Sequence, residues 1–249
     1  MSDLLNTLAP NLSEQTAVVT GASRGIGKAI ASALGACGAH VVLAARSLSD
    51  LEALAEDIRD AGGTATAVKT DVASEDSLKS LFQVVDSIAD GRLDILVNNA
   101  GAGLYGEIID SPADDLDLLH AINVRGPFIA CQQAMKRMVP AKSGTITNIS
   151  SVVGLKGYPN QGAYTASKHA LLGLTKTLSV EAQPHGIRVN AICPGGVDTE
   201  LVTKARPDLD RSVLMQPDDV ARTVLFLLAM PARAAVDSIY IRRAISSPW

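Results

Sequence analysis

The sequence predicts a three-layer α/β fold, a doubly wound, seven-stranded parallel sheet with helices on both faces. Short apolar runs rich in β-branched residues alternate with stretches of helical length. The runs lack polar alternation, as expected for strands covered on both faces, and the strand–helix repeat requires right-handed crossovers. We place the strands at residues 16–20, 40–45, 64–70, 94–98, 144–150, 187–193 and 237–242.

The domain organisation follows from the continuity of this alternation. No internal repeat, low-complexity tract or linker interrupts it after about residue 14. A chain of 249 residues with 47% hydrophobic content can fill the core of one large α/β domain. We therefore expect an N-terminal extension over residues 1–14 and a single domain over residues 15–249.

Charge and composition exclude several function classes. The chain has 22 Lys and Arg against 26 Asp and Glu, a net charge of −4, and no run of like charges, so we expect neither a nucleic acid nor a membrane partner. The N-terminus lacks the pattern of a signal peptide, and the longest apolar run, residues 224–230, is too short to span a bilayer. The three cysteines lack metal-site spacing and indicate reduced thiols. We expect a cytoplasmic protein with a small-molecule partner and no metal.

A glycine-rich turn follows the first strand and opens a helix, with the spacing Gly-x3-Gly-x-Gly. Glycines let the backbone approach a pyrophosphate, which the N–H groups and dipole of the helix N-terminus stabilise. A tight turn without a ligand is the alternative, and the position between strand and helix favours the ligand. We predict a Rossmann-like, dinucleotide-binding domain whose first cofactor contacts are Gly21, Ser23, Arg24, Gly25, Ile26 and Gly27.

The second strand ends at Arg46 and Ser47, where such a fold binds the adenosine ribose. A carboxylate there would bind a free 2′-hydroxyl, whereas Arg pairs with a 2′-phosphate. The sequence provides Arg24, Arg46 and a hydroxyl but no carboxylate. We therefore predict that NADP(H) is preferred and NAD(H) possible, against the alternative that both Arg side chains are solvated surface charges.

The ends of strands three and four lie at the same sheet edge and extend this predicted site. Asp71 is placed to accept a hydrogen bond from the adenine amino group, although it can instead cap the next helix, a role for which Ser74 competes. Asn98 and Asn99 are expected to connect loops rather than contact the substrate. We add to the predicted cofactor contacts Asp71, Val72, Asn99, Ala100 and Gly101.

Tyr164 and Lys168 form the candidate reactive pair. In a helix, residues four apart lie on one face, so the phenol has an ammonium neighbour. That neighbour favours the phenolate and is expected to lower the pKa of Tyr164 by about 1–3 units. Asn123 lies within a predicted helix, where a buried amide either bridges a kinked backbone and water or takes part in chemistry.

Together these motifs resemble the short-chain dehydrogenase/reductase family over about residues 15–243, and within it the NADP(H)-preferring 3-oxoacyl and carbonyl reductases. The matching features are TGASRGIG at 20–27, Asp71, NNAG at 98–101, Asn123, Ser151, Tyr164-x3-Lys168, and Pro194-Gly195 with Val197-Asp198-Thr199. The related enoyl reductases have a Tyr-x6-Lys pattern, so the spacing here disfavours them.

The resemblance implies four catalytic residues. Tyr164 would exchange a proton with the substrate oxygen, and Ser151 would hold that oxygen. Lys168 would lower the pKa of Tyr164 and, like Tyr164, contact the cofactor, while Asn123 would position a water for proton resupply. Ser150 is the alternative candidate for the catalytic serine, but the thirteen-residue spacing to Tyr164 favours Ser151.

The resemblance also implies contacts after strand six, where Pro194, Gly195, Val197 and Thr199 would pass the nicotinamide and residues 196–216 would form a short lid. The C-terminus departs from the family's Asp-Gly-Gly ending, which puts tail-mediated subunit packing in doubt. We expect a homodimer or homotetramer. The helix residues Leu171, Leu174 and Leu178 either contribute to that interface or belong to the core of one chain.

The function implied is NADPH-dependent reduction of a ketone or aldehyde, including 3-oxoacyl thioesters as a candidate class, with Tyr164 as the general acid. The first alternative is an NAD-dependent alcohol dehydrogenase on the same fold. A second alternative is an NADP(H)-binding sensor without turnover.

Overall fold

Seven parallel strands form one sheet in the part of the chain that the computed structural model describes, residues 10–205 and 210–246. Residues 1–9 of the predicted extension, and residues 206–209 and 247–249 of the predicted domain, lie outside it. The sheet order is β3-β2-β1-β4-β5-β6-β7. The strands are β1 (Thr16–Thr20), β2 (His40–Ala45), β3 (Thr64–Lys69), β4 (Ile95–Asn98), β5 (Gly144–Ile149), β6 (Ile187–Pro194) and β7 (Ser238–Ile241).

Helices connect the strands. They are α1 (Gly25–Ala36), α2 (Leu48–Asp60), α3 (Glu75–Ile88), α4 (Ala113–His120), α5 (Gly126–Ala141), α6 (Gly162–Ala182), α7 (Glu200–Ala205) and α8 (Pro217–Ala229). Short 3₁₀ turns lie at Ile108–Asp110, Val152–Gly154, Gln183–His185 and Arg211–Val213. The predicted strand boundaries agree with these bounds to within one residue at every end.

Both faces of the sheet are covered, as the unbroken apolar runs predict. Along β1, Ala17 and Val19 pack with α1, α2 and α8 on one face, whereas Val18 packs with α3 and α5 on the other. The parallel register pairs Val18 with Val42 and Val19 with Leu43, so alternate side chains enter opposite cores. The three-layer doubly wound fold is therefore confirmed.

The sheet edge where the strands end is the edge that positions the site. β1 pairs with β2 on one side and with β4 on the other, so the connections after β1 and β4 leave in opposite directions. A crevice opens at such a switch point, outside the carboxyl ends of the strands. The segments predicted to hold the cofactor follow β1, β2, β3, β4 and β6, and all of them therefore start at this edge.

A π-helical turn, Ala121–Arg125, joins α4 to α5 without a break. Asn123 lies within that turn and is buried. A π turn is a common cause of a helix kink, so the backbone around Asn123 is irregular, whereas a structural or a chemical role for its amide stays a prediction.

The three α6 leucines considered for a subunit interface differ in their burial within the chain. Leu171 and Leu178 are buried within the chain, and Leu174 is half-buried. The intrachain alternative therefore holds for Leu171 and Leu178. Within residues 10–205 and 210–246, no helix combines the length and the apolar character needed to cross a membrane.

Candidate active site

Tyr164 and Lys168 lie one turn apart near the start of α6, and both side chains are buried, with 7% and 4% exposure. The Lys168 Nζ donates a hydrogen bond of 2.9 Å to the Ile149 carbonyl at the end of β5. The same Nζ lies 5.9 Å from the centroid of the Tyr164 ring. The ammonium is thereby fixed between the sheet and the phenol, as the four-residue spacing predicts.

The protonation of this pair differs from the prediction. Burial raises the pKa of Tyr164 to about 12, and a hydrogen bond from the Ser151 hydroxyl opposes the increase. The pKa of Tyr164 is thus raised overall and not lowered as expected, because desolvation of the phenolate outweighs the groups that favour it. Burial also lowers the pKa of Lys168 to about 8. Tyr164 is consequently a neutral phenol at neutral pH.

Ser151 lies two residues after the end of β5 and is the N-cap of the 3₁₀ turn Val152–Gly154. Its hydroxyl oxygen accepts a hydrogen bond of 3.4 Å from the Val153 N–H. The rival hydroxyl of Ser150 is buried and donates to the Lys168 carbonyl at 3.3 Å. Ser150 thus holds α6 against the sheet, and Ser151 is the hydroxyl next to Tyr164.

Asn123 connects the loop after β4 to α6, the helix that carries Tyr164 and Lys168. Its Oδ1 accepts from the Ala102 N–H at 2.9 Å, and its Nδ2 donates to the Ala102 carbonyl at 2.9 Å. The Nδ2 also donates to Ser167 Oγ at 3.0 Å, and Ser167 Oγ donates to the Tyr164 carbonyl at 2.8 Å. The sequence analysis missed Ser167, although its position three residues after Tyr164 places it on the same helix face.

The glycine-rich turn depends on two of its glycines. Gly21 has a φ of +67°, in the region that glycine adopts without strain. A side chain at Gly27 would collide with the Gly21 carbonyl and with the amide of Asn99. Neither a side-chain cap nor an acid occupies the first turn of α1. Its N–H groups are therefore available to an anion.

The two loops at the switch point are joined by Thr20 and Asn99. Thr20 Oγ1 accepts hydrogen bonds of 3.1 Å from the N–H groups of Asn99 and Ala100. Asn99 Nδ2 donates to the carbonyls of Thr20 at 3.0 Å and Gly21 at 3.2 Å. The predicted loop-connecting role of Asn99 is confirmed, and Ala100 and Gly101 continue this turn.

Asn98 is the first residue of a buried series of side-chain hydrogen bonds that ends at α6. Its Nδ2 donates to Asn148 Oδ1 at 2.9 Å, and Asn148 Nδ2 donates to Thr175 Oγ1 at 2.9 Å. Thr175 in turn donates to the Leu171 carbonyl at 2.7 Å. The chain fixes α6 relative to β4 and β5, which supports the expectation that Asn98 has a structural role.

The two predicted phosphate-binding cations are in different situations. Arg24 forms an ion pair with Glu200, the first residue of α7. Arg46 is exposed at the end of β2, and it has no ion-pair partner among the described residues. Ser47 beside it lies 3.4 Å from Ser49, oxygen to oxygen. Arg46 is thus the cation that remains free at the predicted ribose position.

Asp71 does not cap the helix that follows it. Ser74 is the N-cap of α3 and accepts from the Ser77 N–H at 3.3 Å. Asp71 Oδ1 accepts from the Ala73 N–H at 3.0 Å, and its side chain is exposed at the end of β3. The capping alternative for Asp71 is therefore wrong. Val72 next to it lies against Gly126 of α5.

The segment after β6 closes the site on the other side. Gly195 follows Pro194 and donates its N–H to the Ile241 carbonyl of β7 at 2.8 Å. Val197 is buried and bridges to Met215, and Asp198 donates its N–H to the Met215 carbonyl at 2.7 Å. The Thr199 methyl would lie 3.3 Å from a side-chain carbon built on Gly25, so this segment approaches the glycine turn.

A cleft of about 520 Å³ contains two of the four predicted catalytic residues, Ser151 and Tyr164. It is lined in part by Ser151, Tyr158, Gln161 and Tyr164, and by Pro194, Gly195, Val197 and Thr199. Tyr105, which sequence reasoning missed, also lines it and makes an edge contact with Tyr164 at 6.0 Å between ring centroids. Only the folded loop after β4 brings Tyr105 there, so no spacing rule reveals it.

A larger cleft of about 740 Å³ lies elsewhere, between the second half of α6, β6 and residues 232–238. It is lined by Leu172, Thr175 and Lys176 but by none of the four predicted catalytic residues. Size alone therefore does not identify the site. The smaller cleft is the candidate because buried titratable groups converge there.

A Rossmann-like sheet with a buried Tyr–Lys pair at its carboxyl edge defines the class, an α/β dehydrogenase or reductase. Residues 15–210 match the family model described as short chain dehydrogenase. The chain therefore belongs to the short-chain dehydrogenase family, and it is an oxidoreductase that acts on CH–OH or C=O groups.

Relatives and solved structures agree with this assignment. A 3-oxoacyl-[acyl-carrier-protein] reductase of Synechocystis sp. is 39% identical, covering 90% of this chain and 93% of its own. A 3beta-hydroxysteroid dehydrogenase of Mediterraneibacter gnavus is 39% identical, covering 79% and 71%. A metagenomic short-chain oxidoreductase solved in complex with NADP has a TM-score of 0.83 at 36% identity, covering 94% of this chain and 100% of that one.

Proposed function

We propose that the protein is an NADPH-dependent reductase of a ketone or aldehyde, with Tyr164 as the general acid. The observation that carries the proposal is the buried, neutral phenol of Tyr164 beside Ser151, at the sheet edge that also holds the glycine-rich turn. A general acid must hold its proton at the working pH, and burial keeps Tyr164 protonated.

The donor groups around the crevice fit a nicotinamide dinucleotide. The uncapped first turn of α1 suits the pyrophosphate, and Arg46 with Ser47 suits a 2′-phosphate. Asp71 and Val72 would lie beside the adenine. Ala100, Gly101 and Lys168 would contact the ribose, and Pro194 through Thr199 would contact the nicotinamide. When bound, this cofactor supplies the hydride that reduces the carbonyl carbon. NADP bound to a similar solved structure supports the choice of NADP(H), and NAD(H) remains the second candidate.

Side chains of this protein would donate and resupply the proton. The Tyr164 hydroxyl would donate to the substrate oxygen as negative charge develops there, and the Ser151 hydroxyl would stabilise that charge. Lys168, charged and held by the Ile149 carbonyl, would stabilise the phenolate left on Tyr164. Asn123 would hold Ala102 and Ser167 in place, and a water on this amide would resupply the proton.

The cytoplasmic location and the homodimeric or homotetrameric state remain predictions. The main alternative is oxidation of an alcohol with NAD on the same residues. Reduction needs a protonated Tyr164, and burial, which raises the pKa of this phenol, is consistent with that role. The similarity to a 3-oxoacyl reductase supports the same direction and makes 3-oxoacyl thioesters a candidate substrate class.

The test measures the decrease in NADPH absorbance with aldehydes, ketones and 3-oxoacyl thioesters, and repeats each assay with NADH. We expect a kcat/KM for NADPH at least about tenfold above that for NADH, since one charge-assisted phosphate contact is worth about that factor. Equal or better turnover with NADH would refute the cofactor assignment. Turnover of alcohols with NAD, without carbonyl reduction, would establish the alternative function.

A further inference from the structure

We propose that the active-site cleft selects carbonyl substrates that also carry a carboxylate, that is, oxo acids, through Lys156 and Arg243. The inference rests on the proposed reductase function and adds the chemical class of its substrate. Its basis is the sign of the charges that line the cleft around Tyr164.

Three charged side chains among the described residues line this cleft, and all three are basic. They are Lys156, Arg242 and Arg243, and no Asp or Glu within residues 10–205 and 210–246 lines the cleft. None of the three has an ion-pair partner within the described ranges 10–205 and 210–246. The whole chain has a net charge of −4, so this cleft is a basic site on an acidic protein. Like charges in a concave site focus the field and attract an anion.

Arg243 has a fixed place in the cleft. A side-chain carbon built on Gly196 would lie 3.4 Å from Arg243 Cδ and 3.5 Å from its Nε, so the side chain packs on the turn after β6. Its Nε donates to Ser246 Oγ at 3.1 Å. The terminal nitrogens of this guanidinium have no acceptor among the described residues. They form a planar fork that binds a carboxylate with two hydrogen bonds.

Arg242 and Lys156 have different roles in the cleft. Arg242 Nη1 donates to the carbonyls of Arg243, Ala244 and Ser246, so it is used to hold the segment that carries Arg243. Lys156 follows the 3₁₀ turn of Ser151 and places its Nζ 5.6 Å from the Tyr158 ring centroid. This ammonium has no hydrogen-bond partner among the described residues. Among the described residues of the cleft, Lys156 and Arg243 are therefore the two cations available to a substrate.

The cofactor does not need these two cations. Its pyrophosphate would lie at the first turn of α1, and its 2′-phosphate at Arg46. The nicotinamide end, which Pro194 through Thr199 would contact, carries a neutral amide. An anion bound by Arg243 and Lys156 is thus an anion of the substrate. The cleft of about 520 Å³ favours a carboxylate on the small carbonyl compound itself.

The experiment compares matched acid and ester pairs, levulinate with methyl levulinate and para-formylbenzoate with its methyl ester. For the natural chain we expect kcat/KM to be about tenfold or more higher for each acid, and to fall toward the ester value at high salt. Arg243→Ala and Lys156→Gln should each lower kcat/KM for the acids about tenfold and change the ester values less than about threefold. Arg243→Lys should restore part of the preference.

The control is Arg222→Ala, which removes an exposed Arg from α8 and should leave both values unchanged. Equal kcat/KM for acid and ester in the natural chain would overturn the proposal while leaving the reductase function intact. A preference seen only for acetoacetyl-CoA over its N-acetylcysteamine analogue would assign the cations to the thioester carrier instead, and would also overturn it.

A binding measurement separates this inference from the proposed function. In calorimetric titrations of the protein with NADP⁺ present, benzoate should bind about tenfold more tightly than the neutral benzamide. Arg243→Ala and Lys156→Gln should remove that difference, with circular dichroism confirming that each variant is folded. If no carbonyl compound is reduced, the reductase function fails, and the benzoate titration still decides whether the cleft binds carboxylates.

Discussion

The two ends of the active-site crevice are built in different ways. The proposed phosphate end has backbone N–H groups of α1 and two exposed cations, Arg24 and Arg46. The proposed proton-transfer end has two buried groups, Tyr164 and Lys168, whose pKa values burial shifts to about 12 and about 8. Water screens charges at the first end and is excluded at the second, so side-chain interactions are stronger at the second.

This difference predicts how the two ends respond to substitution. A group that acts in a buried site has no solvent substitute, so its loss is expected to change the rate by orders of magnitude. An exposed cation is replaced in part by water and salt, so its loss is expected to change affinity modestly. The glycine turn is the exception at the phosphate end, because its backbone is packed against Asn99.

Tyr164→Phe is the substitution with the largest expected effect. It removes the proton donor but keeps the buried ring, so we expect kcat to fall by about 10²–10⁴ while the NADPH affinity, measured by cofactor fluorescence, changes less than about threefold. Tyr158→Phe, which alters a phenol 37% exposed in the same cleft, is the matched control and should reduce kcat far less. Comparable kcat values for the two variants would show that the buried end is not the site of proton transfer.

Gly27→Ala is expected to have the next largest effect. The added methyl would collide with the Gly21 carbonyl and the Asn99 amide, and such overpacking costs about 1–3 kcal/mol of stability. We expect a lower denaturation midpoint and weaker NADPH binding.

Gly173→Ala provides the control, because a side-chain carbon there meets nothing within 4 Å on α6. It should raise the midpoint slightly, as Ala favours a helix over Gly by about 0.5–1 kcal/mol. If the Gly27→Ala protein is as stable as the natural chain, the turn accommodates the methyl group. The glycine turn would then be no more sensitive to substitution than the exposed cations of the phosphate end.

The sequence predicted most of what depends on local spacing. The strand–helix alternation gave the sheet, the four-residue spacing placed Tyr164 and Lys168 on one face, and the turn after β1 is where the glycines indicated. Each of these features follows from the backbone period of a helix or strand or from the conformational freedom of glycine.

What depends on packing was not predictable. The direction of the Tyr164 pKa shift follows from burial, which many distant residues produce together. The ion pair of Arg24 with Glu200 joins positions 176 residues apart, and Tyr105 reaches the cleft only through a folded loop. Residue spacing carries no information about such contacts. Arg24 and Arg46 therefore looked equivalent in sequence and differ in the structure.

Arg46→Ala tests that difference and has the smallest expected effect. Because Arg46 is free and Arg24 is paired with Glu200, we expect Arg46→Ala to raise KM for NADPH about tenfold and to leave KM for NADH within about twofold. Arg24→Ala, the matched variant, should raise KM for NADPH less. The measurement is a pair of cofactor titrations at fixed substrate, at low and at moderate salt, since screening should reduce the Arg46 effect. If Arg24→Ala has the larger effect, then Arg24 leaves Glu200 to bind the phosphate, and the phosphate end rearranges when the cofactor binds.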